Sequence, residues 1–146
     1  MINFTRLKDI RENNDINQDE ISKVLNIPRS TYSMWEIGIS IIPLKYLVTF
    51  ADYFNISLDY ALGLTDDKNN EDIIKGINLV VLGNNIKFIR KKYNHSQKDV
   101  ANILKVNQSC VSKYESGIIE IPIDNLYTFC KKYNVSINEI CGKNKK

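Results

Sequence analysis

Residues 18–38, QDEISKVLNIPRSTYSMWEIG, recur 79 positions later as residues 97–117, QKDVANILKVNQSCVSKYESG. The same offset pairs Leu7 with Ile86, Arg11 with Arg90, Leu25 with Leu104, Glu36 with Glu115, Pro43 with Pro122, Phe50 with Phe129 and Gly63 with Gly142, without a gap. A register held over that span is the mark of a whole unit copied in tandem. It divides the 146 residues between two small domains of one fold.

Each copy of the stretch reads as two short helices joined by a tight turn. Ile21, Val24 and Leu25 fall on one helical face, and Ile27 supplies an apolar plug in the turn. Asn17 with Glu20, and Ser96 with Asp99, have the spacing of a capping box, so both copies start a helix just before a glutamine. Pro28 restarts the chain. On the helix that follows, Thr31, Tyr32 and Trp35 can turn inward while Arg29, Ser30, Ser33 and Met34 are left outward. Gly38 and Gly117 suit a left-handed stop.

The flanks complete the unit. Phe4, Leu7 and Ile10 predict a first helix ending near Asn13 and Asn14, Pro43 can open a fourth, and Ser57 can cap a short fifth closed by Gly63. Copy two repeats the plan, with Ser136 and Glu139 as a further capping box and GKNKK as a frayed basic tail. Between the copies, residues 65–72 (TDDKNNED) contain nothing apolar and read as an exposed boundary. Ile73, Ile74, Ile77, Val80 and Val81 then form a helical stripe despite Gly76, which predicts a linker helix that either extends the core of copy two or fixes the spacing of the domains or a dimer contact; Gly83 and Asn84 would part it from copy two's first helix. The expected division is therefore a domain at 1–66, a linker with an amphipathic helix at 67–82, and a domain at 83–146.

The pattern Gln-x-x-(Ile/Val)-(Ser/Ala)-x-x-Leu, then Arg-Ser-Thr-Tyr-Ser-x-Trp-Glu-x-Gly, then Pro-x-x-x-Leu-x-x-Phe-(Ala/Cys), resembles the lambda-repressor-like, Cro-type helix-turn-helix family, also called XRE. The resemblance covers about sixty residues in each copy. It implies an all-α chain of two tandem five-helix domains, each with a third helix that enters the major groove of double-stranded DNA.

Composition agrees with a globular protein and excludes several classes. Charged residues make up 25% and hydrophobic residues 43%, and no apolar run approaches the roughly 20 residues that span a bilayer. The start, MINFTRLKDI, lacks a signal peptide's basic and apolar regions, so a cytoplasmic protein is expected. The three cysteines are odd in number and without a CxxC pair, as in a reducing compartment, and the single histidine, His95, predicts no metal site. There is no glycine-rich phosphate loop and no nucleophile set with a histidine, so no enzyme chemistry, cofactor or small-molecule substrate is expected.

By resemblance, Gln18 and Gln97 touch DNA phosphates. Arg29, Ser30, Ser33 and Met34 of copy one, with Gln108, Ser109, Ser112 and Lys113 of copy two, read base edges. Arginine can grip guanine, and glutamine adenine, through two hydrogen bonds. In relatives the arginine and glutamate at the positions of Arg11 and Glu36, and of Arg90 and Glu115, form buried structural ion pairs.

The copies differ electrically. Residues 1–66 hold six Lys/Arg against nine Asp/Glu, a net charge of −3, whereas residues 83–146 hold twelve against five, a net +7. Because phosphate neutralisation supplies much of DNA affinity, copy two is the better DNA binder on charge. Copy one also departs from the family pattern with Met34, Ile37 and Ile39 where basic or polar residues often sit, and copy two with Ile118, Ile119 and Glu120. The reading is a sequence-specific transcriptional regulator, a repressor, acting as one chain with two reading helices or as a homodimer with four. A protein-interaction or antitoxin-like module, with one domain serving dimerisation or a partner, stays open beside it.

Overall fold

Two of the three predicted capping boxes form in full, and they set where the helix pairs begin. In the first, the Glu20 N–H donates to Asn17 Oδ1 at 2.8 Å and the Asn17 N–H to Glu20 Oε1 at 3.1 Å. The same reciprocal pair joins Ser96 and Asp99 at 3.0 and 2.8 Å. The Ser96 backbone and hydroxyl hydrogen bonds also hold the Asp99 carboxyl below its ordinary pKa. At Ser136 only half of the expected box is present, the Glu139 N–H donating to Ser136 Oγ.

This computed structural model describes residues 1–68 and 73–144, so the expected boundary and basic tail lie outside the described residues at 69–72 and 145–146. The described residues form ten helices and no strand. The chain divides into two units, Met1–Gly76 and Ile77–Lys146. The first holds α1 (Thr5–Asn13), α2 (Gln18–Leu25), α3 (Arg29–Glu36), α4 (Leu44–Phe54) and α5 (Leu58–Ala61). The second holds α6 (Leu79–Lys92), α7 (Gln97–Leu104), α8 (Gln108–Ser116), α9 (Ile123–Tyr133) and α10 (Ile137–Ile140). Five helices per copy is the all-α arrangement that the resemblance implies. No helix among the described residues is long and apolar enough to cross a membrane.

In copy one α2 packs on α3 and α4, and α1 on α3 and α5. The core they enclose contains Leu7, Ile21, Tyr32, Leu47, Phe50, Leu58 and Leu62, all fully buried. Tyr32 meets Trp35 edge-on and stacks beside Phe50, with ring centroids 6.1 and 6.5 Å apart. Copy two builds its core from Ile86, Val100, Val111, Leu126, Phe129 and Ile137; its Phe129–Tyr133 contact repeats Phe50–Phe54 of copy one, and Tyr93 joins it. Position 32 is tyrosine in one copy and its counterpart, 111, valine in the other.

That exchange exposes an uncompensated group. The Tyr32 hydroxyl is buried without a hydrogen bond of acceptable geometry, although the Glu36 carboxylate lies within electrostatic reach, and burial pushes its pKa up. Leaving such a hydroxyl unsatisfied costs ~1–3 kcal/mol. Tyr32→Phe keeps the ring and removes the orphan, so copy one should be equally stable or up to ~2 kcal/mol more stable in denaturant titration. A clear loss of stability would show that the hydroxyl does have a partner.

Three expectations are corrected. The apolar stripe at 73–81 does not make a linker helix, because Gly76, at φ +78°, ends any helical path there. Residues 75 and 76 instead strap back onto copy one, with Lys75 Nζ donating to the Asp52 carbonyl and the Gly76 N–H to the Asp52 carboxylate, both at 2.6 Å. Gly83 and Asn84 do not separate two helices but lie within the continuous α6, where Gly83 is buried. The basic tail is also not uniformly frayed. Lys143 is fully buried, its N–H donates to the Asn138 carbonyl at 3.0 Å, and Asn138 Nδ2 donates to Asn144 Oδ1.

Candidate nucleic-acid interface

The geometry of each helix pair is fixed at its turn. Asn26 and Lys105 close α2 and α7 in the left-handed conformation, at φ 56° and 58°, and the next residues hydrogen-bond back to Ser22 and Ala101. Asparagine tolerates that conformation better than lysine does, so copy two accepts some backbone strain to place a cation there. Pro28 precedes α3 without a side-chain cap, whereas Asn107 caps α8 by accepting from the Cys110 N–H at 3.0 Å. Gly38 and Gly117 take the expected left-handed turns at φ 79° and 75°.

This scaffold turns one row of each second helix to solvent. Arg29, Ser30 and Met34 are exposed on α3 and Ser33 is half-buried, while Gln108, Ser109, Ser112 and Lys113 are all exposed on α8. Spacings of three and four put each set on a single helical face. The Ser109 hydroxyl is already occupied, donating to Asn107 Oδ1 at 2.6 Å. Arg29 is drawn back toward its own domain, with Nε 3.9 Å from the Asp19 carboxylate and 3.4 Å from Gln18 Oε1.

Beneath the row lies the ion pair. Arg11 donates to both Glu36 oxygens, Nε at 2.7 Å and Nη2 at 3.1 Å, and its Nη1 reaches the Ile16 carbonyl at 2.8 Å. Arg90 repeats all three bonds, to Glu115 at 2.6 and 3.0 Å and to the His95 carbonyl at 2.9 Å. The hydrogen bonds each arginine donates to its glutamate partner raise the arginine's pKa. Burial alone would raise the Glu36 carboxyl, but Arg11, the nearby Tyr32 hydroxyl and Gln18 together outweigh it and hold that pKa below its ordinary value. The end of the first helix, the following turn and the end of the second helix of the pair are thereby locked together.

Gln18 and Gln97 belong to this network, which the sequence reading missed. Gln18 Nε2 donates to Glu36 Oε1 at 3.0 Å, and Gln97 Nε2 to Glu115 Oε1 at 3.1 Å. The signal was present in the sequence, since both glutamines stand at the same separation from a glutamate that is also repeated. An amide nitrogen carries two hydrogens, so one donor remains on each.

The copies diverge in chemistry on this shared frame. Where copy two has Lys98, Lys105 and Lys113, copy one has Asp19, Asn26 and Met34; in return it has Lys23 opposite Asn102. Over residues 18–38 the net charge is −1, from Lys23 and Arg29 against Asp19, Glu20 and Glu36. Over 97–117 it is +1, from those three lysines against Asp99 and Glu115. Elsewhere, His95 contacts the Tyr133 hydroxyl at 2.6 Å through Nδ1. Cys130 and Cys141 are core thiols, and Cys110 is half-buried on α8.

Two units that each hold out the second helix of a helix-turn-helix pair define a tandem helix-turn-helix protein. The helix-turn-helix family model matches twice, at residues 7–60 and 86–140. The chain belongs to the XRE-type helix-turn-helix family of DNA-binding transcription regulators. Antitoxin PezA of Streptococcus pneumoniae serotype 4 is 32% identical over 65 residues, 44% of this chain and 41% of that protein. The uncharacterized HTH-type transcriptional regulator YobD of Bacillus subtilis strain 168 is 34% identical over 62 residues, 42% of this chain and 55% of that protein. The chain thus spans about half the length of the curated relatives it matches. Among solved structures, the restriction-modification controller protein C.AhdI from Aeromonas hydrophila covers 42% of this chain and 94% of its own, at 21% identity and a TM-score of 0.40. The clp gene regulator ClgR from C. glutamicum covers 42% and 79%, at 20% identity and a TM-score of 0.39.

Proposed function

We propose that this chain is a sequence-specific, cytoplasmic repressor of transcription in which copy two is the principal reader of double-stranded DNA. α8 lies in the major groove, with Gln108, Ser109, Ser112 and Lys113 toward base edges and Gln97 toward a phosphate through its second amide hydrogen. Copy one reads more weakly through Arg29, Ser30, Ser33 and Met34, with Gln18 at its phosphate. Repression then follows from occupying the duplex where polymerase must bind. The observation that carries the reading is the exposed polar row of α8, bearing a free-standing lysine, on a domain of net charge +7.

Site selection from a random duplex pool near physiological salt tests it. Wild type should enrich a defined motif, and Gln108→Ala/Lys113→Ala should lose preference at some of its positions, at ~1–3 kcal/mol for each bidentate base contact removed. Arg29→Ala should change affinity far less. An unenriched pool sinks the proposal. The similarity to an antitoxin favours one other reading, a partner-binding module; weak, salt-insensitive DNA binding with tight protein binding would select it.

A further inference from the structure

One groove occurs in both copies, and the two are not filled alike. In copy one it measures about 130 Å³ and lies between α1 and the junction of α4 with α5, with Lys68 at its edge. In copy two it measures about 730 Å³, between α6 and the junction of α9 with α10. Apart from Lys68, every residue lining the first has its repeat counterpart lining the second. Copy one closes its groove with its own chain. Arg6 lies over the Tyr60 ring at 4.4 Å and binds the Thr65 carbonyl and Asp66, while the Ser57 N–H donates to the Lys68 carbonyl at 2.9 Å and Ser57 is left 1% exposed. In copy two Asn85 and Glu139 stand for Arg6 and Tyr60, and Ser136, the counterpart of Ser57, is exposed with no partner for its N–H among the described residues. The wall changes as well, since Phe88, 69% exposed, and Tyr93, 48% exposed, replace Asp9 and Asn14. Copy one keeps the fold without those rings, so exposed aromatic side chains around a groove of this volume mark a binding site.

We infer that the copy-two groove docks a short, non-helical segment of a partner protein, one that carries an acidic residue beside a bulky apolar side chain. Copy one shows what kind of occupant this groove accepts. There it is non-helical main chain, which satisfies Ser57 and then reaches Asp52, where the Lys75 ammonium meets the carbonyl and the Gly76 N–H the carboxylate, both at 2.6 Å. The counterpart of Asp52 is Lys131 and that of Asn13 is Lys92, both exposed, against one carboxylate in the lining, Glu139. A segment following the same path in copy two must therefore bring an acid where copy one's strap brings Lys75. The strap of a second copy of this chain is a poor occupant, because its lysine would meet a lysine. DNA would satisfy the lysines but leave Phe88 and Tyr93 in water. A peptide segment uses all three features, its carbonyl on the Ser136 N–H, its apolar side chain between the rings and its acid on Lys131. The inference goes beyond the DNA reading and does not depend on it.

A phage-displayed library of random peptides, panned against the full chain, provides the test. The enriched peptides should share a large apolar residue close to Asp or Glu, and their synthetic forms should bind with a Kd on the order of 10 µM. Phe88→Asp and Lys131→Asp each install the residue that copy one carries at that place, so both should keep the helical circular dichroism while weakening the peptide by at least about tenfold. Replacing the peptide's acids by lysine should weaken its binding to wild type by as much and restore binding to Lys131→Asp. With peptide bound, hydrogen exchange at the Ser136 amide should slow by at least about tenfold, toward that of Ser57. No shared sequence, binding that survives both variants, or a Ser136 amide that stays unprotected would each overturn the inference. So would loss of duplex binding in Lys131→Asp with no peptide selected, which would assign that lysine to DNA. A chain that binds the peptides but enriches no DNA motif would count against the DNA reading alone.

Discussion

Glu36→Ala should destabilise copy one by ~3–5 kcal/mol, the usual cost of stranding one member of a buried ion pair. Glu36 is the acceptor for two arginine bonds and one glutamine bond, and its side chain is only 2% exposed. Its removal leaves the Arg11 guanidinium desolvated and holding only the Ile16 carbonyl. A small domain has ~5–15 kcal/mol in total, so the variant should sit near its folding threshold. The chain has a single tryptophan, Trp35, buried in copy one beside the mutated position, so its fluorescence follows that copy alone in a denaturant titration. The paired replacement Arg11→Met/Glu36→Leu should recover most of the loss, because apolar residues of similar volume often substitute for a buried pair without penalty. A midpoint unmoved by Glu36→Ala would mean that the pair contributes nothing.

The same pair gives a pH dependence whose direction is fixed. Folding depresses the Glu36 pKa below its ordinary 4.5, so the unfolded chain binds the proton more readily. The stabilisation is therefore fully present above about pH 4.5 and is lost as pH falls through the lower folded value. Acid unfolding followed at Trp35 should show this fall in wild type and a flatter profile in Glu36→Ala.

What the sequence disclosed, and what it withheld, divides along physical lines. Features governed by neighbours in the chain were legible: the capping pairs Asn17/Glu20 and Ser96/Asp99, the left-handed Gly38 and Gly117, and the outward row on each reading helix. The ion pairs were legible only through the family resemblance, since nothing local links Arg11 to Glu36 across 25 positions. Long-range partners that no period reveals were missed. The amides of Gln18 and Gln97 turn inward to the glutamates as well as standing where a phosphate contact was expected, and the Lys143 side chain is buried in a stretch whose charge suggested fraying. The linker helix failed for a different reason. Its apolar residues do follow a helical period, but Gly76 and the bonds from residues 75 and 76 to Asp52 outweigh that local preference.

Gly83→Ala should destabilise copy two by ~3 kcal/mol or more, reversing the usual sign for this change in a helix, where alanine is favoured by ~1 kcal/mol. α6 starts at Leu79, whereas the repeat register places the counterpart of α1's first residue, Thr5, at Asn84. The added N-terminal turn lies across the end of α8, and at Gly83 the two backbones approach closely. A methyl group there would stand 2.5 Å from the Tyr114 carbonyl oxygen and nearer still to that of Glu115. Both obstacles are main chain, so no rotamer change relieves them, and α6 must lift from α8. Because Arg90 lies further along α6 and Glu115 is the residue struck, the displacement also disturbs the ion pair of copy two. In denaturation followed by circular dichroism the variant should lose the copy-two transition early while the Trp35 transition stays in place. Asn84→Ala, one position on and exposed, should be neutral or slightly stabilising and so separates helix propensity from the clash. If Gly83→Ala instead gained stability, the close approach of α6 to α8 would be wrong, and Gly83 would be an ordinary helical glycine.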